Sequence, residues 1–347
     1  MKIDRSHLVT GWIVSFGTIT LRVSRRGVIV GGVLVALVLL VAWALLMHGT
    51  LQFSASEVLA AVFGQGEDRT LRTVQNRRLP RLITALLVGG CLGVAGAVFQ
   101  SVSRNALASP DIIGFTAGAA TGAIIQMILF GPDMLRTAIA AIIGGIIASV
   151  AVYLLSRRDG ASGGVRFVLV GIGVGAIATA ASGLLIVQAP LQDATAAQVW
   201  LSGTLSGRGW PHVISLLILT AITVPVLAWL SQRLTMIEMG DELAMGLGVG
   251  VERTRTIAIA IGVLLTAVAV AATGPIAFIA LAAPQIARRL MKRGALPLAS
   301  SFTLGAVLLA LSDLLSQWLE IGLRTPVGTM TSLLGGVYLI WLLARKA

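Results

Sequence analysis

Long apolar stretches separated by short polar connections run through the chain, and they recur at one characteristic length. A hydrocarbon core about 30 Å thick takes roughly 20 apolar residues per helix. Spans of that kind are predicted near 27–47, 82–101, 112–131, 135–155, 166–188, 211–230, 254–272, 275–291, 296–318 and 327–344. The ten-residue alternation of a membrane barrel is absent from the pattern, so the expected fold is an all-α membrane protein of about ten transmembrane helices. The first apolar run is longer than a signal-peptide core and no small-x-small cleavage pattern follows it, so it reads as an uncleaved span.

Two segments are too short or too polar to cross. FSASEVLAAVFG (53–64) and LQDATAAQVWLSGTLSG (191–207) read as short outer helices, the first capped by Ser54 or Ser56 with Glu57 in its first turn. Small residues crowd VGGCLGVAGAVFQ (88–100), IGFTAGAATGAII (113–125) and LVGIGVGAIATAASGLL (169–185). In lipid such residues let helix backbones approach closely, which predicts three interior helices. VAGAVFQSV (94–102) is similar to ATGPIAFIAL (272–281), and the two run in opposite directions by the span count, as an inverted repeat requires.

Composition sharpens this picture. With 56% apolar and 12% charged residues and a mean hydropathy of +0.94, the chain is far more apolar than one soluble core needs. The net charge of +12 is scattered at the ends of apolar segments, which excludes a nucleic-acid stripe and instead sets topology. With ten spans and a cytoplasmic N-terminus, eighteen of the twenty-six Lys and Arg fall inside, predicting an N-in, C-in arrangement. Residues 1–26 are then a cytoplasmic tail and 27–347 a transmembrane domain with membrane lipid around it. The exception is the outer cluster Arg69, Arg72, Arg77, Arg78 and Arg81.

Several chemistries drop out. GASG (160–163) has the look of an intramembrane protease motif, but no histidine lies near Ser162 by this topology, so it is a turn. Three scattered histidines and the lone, core-like Cys91 supply no metal site, and no cofactor is expected. Lysine occurs only at 2, 292 and 346, never after a glycine-rich strand-to-helix turn, so the chain has no P-loop and does not hydrolyse ATP. Asp313 is the one acid within a predicted span, thin support for a proton-coupled carrier, the rival reading.

The stretch RRLPRLITALLVGGCLGVAGAVFQSVSRNALASPDIIGFTAGAATGA (77–123) resembles the FecCD-type permeases of bacterial ABC importers. EMGDELAMGLGV (238–249), GPIAFIALAAPQIARR (274–289) and TPVGTMTSLLGGVYLIWLL (325–343) agree with it. The resemblance implies a type II importer permease of ten spans in the inner membrane. It also implies two ATP-binding subunits, a second permease, identical or paralogous, and a periplasmic or lipid-anchored siderophore-binding protein as partners. SPDIIGF and LFGPD look nearest to ferric-enterobactin permeases, with haem and cobalamin as alternative cargoes.

It implies, further, that the loop within 234–253 forms two short helices docking on the ATPase. Glu238, Asp241 and Glu242 would then offer acceptors to the partner, Met236, Met239, Leu243, Met245 and Leu247 apolar surface, and Gly240, Gly246 and Gly248 the turn. Arg78 and Arg81 of RLPR are expected to meet the binding protein; we add Arg324 as a third outer candidate. Gly171, Gly173, Gly175, Ser182 and Gln188 are expected to line or pack a central passage between two permeases.

Overall fold

A computed structural model describes residues 2–4, 12–16, 19–23, 25–131, 133–156, 164–291, 296–319 and 325–344. Ser162 and Arg324 lie outside them. Before the membrane body come three short strands, β1 (Lys2–Asp4), β2 (Trp12–Phe16) and β3 (Ile19–Val23), paired antiparallel in the order β1-β2-β3. The tail thus departs from the all-α expectation, its Ile, Val and Thr content suiting a pleated strand.

The body is helical: α1 (Arg25–Met47), α2 (Ala55–Val62), α3 (Asp68–Thr73), α4 (Leu79–Ser103), α5 (Phe115–Leu129), α6 (Met134–Ser156), α7 (Gly164–Gln188), α8 (Leu191–Leu201), α9 (Trp210–Glu238), α10 (Asp241–Gly246), α11 (Val251–Thr273), α12 (Ile279–Met291), α13 (Leu298–Trp318) and α14 (Val327–Ala344). Seven helical segments among the described residues are long and apolar enough to cross a membrane, and α5 and α14 are shorter apolar helices.

Each predicted span coincides with one helix, with one correction. The span expected over 275–291 is an extended stretch followed by the 13-residue α12, about 20 Å long at 1.5 Å per residue and too short to cross alone. Gly274 and Phe278, both at positive φ, turn the backbone there and leave α12 to start inside the bundle.

Helix α4 is the hub, packed against α9, α11, α12 and α13. A side chain on Gly89 would strike the carbonyl of Gly305 in α13, one on Gly93 that of Ser301, and one on Gly96 that of Ala280 in α12. The last contact joins the two similar segments noted above, and Gln100 Nε2 adds a hydrogen bond of 3.1 Å to Leu281 O. Gly118 and Gly122 of α5 meet α6 in the same close manner. Two of the three glycine-rich segments are therefore interior as predicted.

The third is not. In α7, Gly171 and Gly175 pack on the Ile113–Gly114 backbone and the Ser182 hydroxyl lies 2.9 Å from that of Thr121, while Gly173, Ile177, Gly183 and Val187 form an open opposite face. Periodicity explains the split, because positions 171, 175, 178 and 182 share one helical face.

Helix α2 begins as predicted. Ser54 caps it by accepting from Glu57 N–H, and Glu57 Oε2 accepts in return from Ser54 N–H, completing a capping box.

Candidate functional site

Helix α9 runs on to Glu238, past the predicted boundary at 230, so the loop after it is short. Met239 and Gly240 turn the chain, α10 occupies six residues, and Leu247 to Gly250 lead into α11. The described residues thus hold one short helix here where the resemblance implied two, because the first half of the segment continues the regular hydrogen bonding of α9. Gly240 (φ 130°) and Gly248 (φ 80°) supply the two joints; both angles suit glycine, and open space surrounds each.

The apolar residues of the segment divide into two sets. Ile237, Ala244, Val249 and Val251, with Met236 against them, form a small core under α10. Met239, Leu243, Met245 and Leu247 point away and are 57–67% exposed. Four large apolar side chains around two turns of backbone make a patch that water solvates poorly.

Two of the three acids turn inward. Glu238 Oε1 receives Arg288 Nη2 of α12 at 2.5 Å. Asp241 Oδ1 receives Arg104 Nη2 at 2.8 Å and Arg255 Nη2 at 3.0 Å, and its Oδ2 lies 3.1 Å from the same Arg255 nitrogen. Arg255 is 3% exposed, and a guanidinium so buried costs several kcal/mol unless paired. Its Nη1 reaches Glu252 at 3.5 Å, and Glu252 in turn accepts from Tyr153 of α6. Glu242 is exposed and makes no ion pair among the described residues.

The opposite end of α4 is organised similarly, and two expected docking residues sit inside it. Arg78, in a π-helical turn between α3 and α4, donates to the carbonyls of Leu46, Met47 and Leu51 and lies 5.2 Å over the ring of Phe53. Arg81 clasps Asp313 of α13 with two hydrogen bonds of 3.0 and 2.7 Å, and Gln317 adds a third at 3.1 Å. Asp313 is fully buried. In this conformation both guanidinia are engaged by the fold, whereas Arg69 and Arg72 of α3 and Arg77 of the π-helical turn are exposed.

A cavity of about 490 Å³ opens among α5, the 201–202 turn, residues 275–277 and the start of α14. Asp111 lies in its wall and accepts from Thr116 Oγ1 at 2.7 Å, while the buried Asp111 Oδ2 has no partner within hydrogen-bond geometry. Sequence reading passed over Asp111 because it precedes a predicted span; only the fold brings it beside the 275–278 turn. Gly173 and Gln188 lie on exposed α7 surface, and Gly171, Gly175 and Ser182 on its packed face.

Comparison with known proteins matches this arrangement to one family. Residues 34–345 match the FecCD transport family. The ferric enterobactin transport system permease protein FepG of Escherichia coli is 40% identical over 309 residues, covering 87% of this chain and 91% of that protein. The iron(3+)-hydroxamate import system permease protein FhuG of Bacillus subtilis is 35% identical over 93% of this chain and 98% of its own length. A metal-chelate type ABC transporter solved in an inward-facing conformation superposes with a TM-score of 0.81 at 26% identity, covering 92% of this chain and 99% of that one. The chain is a multi-pass membrane protein and belongs to the FecCD transport family.

Proposed function

We propose that the chain is the permease subunit of a binding-protein-dependent ABC importer that carries a ferric siderophore across the bacterial inner membrane. Two permease subunits pair, and two ATPases on the cytoplasmic side drive the passage between outward and inward openings. The observation that carries this reading is α10, a short helix on glycine joints presenting Met239, Leu243, Met245 and Leu247 to a partner. An apolar patch of that shape at a helix end fits a groove on another protein, and methionine adapts to one. The excess of Lys and Arg on the N-terminal side of the span count supports an N-in, C-in topology, in which this segment is cytoplasmic like the ATPase.

The open face of α7, with Gly173 and Gln188, meets the second permease and the passage, and the Asp111 cavity adds a polar wall beside it. On the outer surface, Arg69, Arg72 and Arg77 steer the acidic lobes of the binding protein, while Arg78 and Arg81 hold the turn that presents them; Arg324 joins this surface. The cargo is a catecholate of the enterobactin kind, supported by the 40% identity to FepG. Hydroxamate and citrate chelates, carried in the names of other relatives, are the competitors to be tested against it.

The experiment is co-purification and uptake. Leu243→Asp should release the ATPases and lower uptake of radiolabelled ferric enterobactin by roughly a hundredfold, since a charge buried in an apolar groove costs about 3 kcal/mol. Retained ATPases in that variant would refute the docking role of α10. Uptake that continues without any ATPase would favour the proton-coupled carrier.

A further inference from the structure

Asp241 is held too firmly within its own chain to be a free acceptor for a partner. One oxygen takes two guanidinium donors and the other lies in reach of one of them, with Arg104 at the end of α4 on one side and Arg255 in the first turns of α11 on the other. Arg104 ends α4 in the left-handed region (φ 50°, ψ 31°), uncommon outside glycine, and there its guanidinium meets α10. Arg255 is buried with Asp241 as its closest carboxylate. The exposed acid next door, Glu242, shows that the segment could have kept this charge outside.

The joints explain why such a tie is needed. Gly240 and Gly248 give α10 a glycine joint at each end, and apart from the small core around Ala244 its charged contacts are what fix its orientation on the bundle. We infer that Asp241 is a positioning residue for energy coupling: through Arg104 and Arg255 it makes α10 move as one body with the ends of α4 and α11. Glu238 and Arg288 do the same for α9 and α12. Helix α4 in turn carries the motion to α13 and α12 through its glycine contacts, so Asp241 connects the docking helix to the hub of the bundle. This inference rests on the importer reading and specifies how that docking surface does its work.

The test uses the whole importer in liposomes: both permeases, both ATPases and the binding protein. In D241N the ATPases should stay bound at the parent ratio and hydrolyse ATP within about twofold of the parent, while siderophore uptake per ATP falls about tenfold, a usual size for a coupling term. R104A leaves the buried Arg255–Asp241 pair intact and should show a smaller loss of about fivefold, with the double variant no worse than D241N because both act on one link. Spin labels at Glu242→Cys and Leu107→Cys should keep a constant separation on nucleotide binding in the parent and change it in D241N.

Loss of the ATPases from assembled D241N complex would make Asp241 a docking contact and overturn the inference, as would unchanged uptake per ATP. If D241N does not assemble, R104A decides on the same two readouts. Leu243→Asp keeps the two claims apart: ATPases that stay bound in that variant defeat the importer's docking assignment whatever D241N does.

Discussion

Helices α4 and α7 are each 25 residues long and rich in glycine, yet 89% of the most apolar stretch of the α4 segment is buried against 17% in α7. Composition does not separate them. In α4 the glycines at 89, 93 and 96 recur at spacings of four and three on one face and press on backbone carbonyls, while neighbours on its other faces meet α9 and α11. In α7 only Gly171 and Gly175 find a backbone, that of the turn before α5, and Gly173 and Gly183 meet nothing within 4 Å. A glycine-rich membrane helix therefore signals close approach somewhere, and the single chain satisfies that demand for α4 but leaves half of α7 for a neighbour.

The most severe way to break this contrast is Gly96→Leu. Its Cβ would overlap the carbonyl of Ala280, and the expected cost of roughly 3 kcal/mol or more should abolish monodisperse protein in detergent size-exclusion chromatography. Next comes the ion pair that fixes the start of α4 on α13. Asp313→Asn leaves Arg81 without its countercharge and should lower stability by about 3 kcal/mol, the low end for a buried pair because Arg81 is 28% exposed. Thermal unfolding of Asp313→Asn beside the double variant Arg81→Met, Asp313→Leu checks it: the double variant should recover most of the loss. Transport by that double variant would also remove Asp313 as a proton carrier.

Smaller effects sharpen the α7 side. Gly171→Leu meets Ile113 at 2.7 Å and should destabilise by about 1–3 kcal/mol, whereas Gly173→Leu should stay within roughly 0.5 kcal/mol in the isolated chain. If α7 faces a second permease, Gly173→Leu should still weaken pairing of the two, measured by cross-linking in membranes. Equal damage from both would erase the distinction.

The least effect lies far from either helix. Hydrogen bonds from the backbone and hydroxyl of Ser54 hold the Glu57 carboxyl below its ordinary value of 4.5. A depressed folded value means the cap contributes fully above pH 4.5 and is lost as pH falls through the lower folded value. The protection of residues 55–62 against hydrogen exchange, after division by the intrinsic rate at each pH, should therefore fall in acid below that point, and Glu57→Gln should remove the dependence.

Some of this molecule was readable residue by residue. The cap at Ser54 with Glu57 rests on contacts three positions apart, and the apolar helices that coincide with predicted spans on runs of apolar residues, so local order suffices for both. The half-length of α12 was not readable, since the turn at Gly274–Phe278 interrupts no hydrophobic run. Nor were the partners of the charges. Asp313 and Arg81 are 232 positions apart, Glu238 and Arg288 fifty, Asp241 and Arg104 137. A carboxylate in a sequence has no direction, and an acid in a loop reads as an offer to solvent or to a partner until the chain around it is folded.

By itself, then, the sequence determined a helical membrane protein without a P-loop, the place where an apolar, acidic segment interrupts the spans, and the motifs that mark its family. These follow from hydrophobicity and spacing, properties of neighbours along the chain. Only the tertiary structure decided that Glu238 and Asp241 of that segment face inward and four of its large apolar side chains outward, that Arg78 and Arg81 are engaged by the fold, and that α7 keeps an open face. Those choices depend on which helix ends meet, because a buried guanidinium is tolerable where a carboxylate or a set of carbonyls from another part of the chain arrives within about 3 Å.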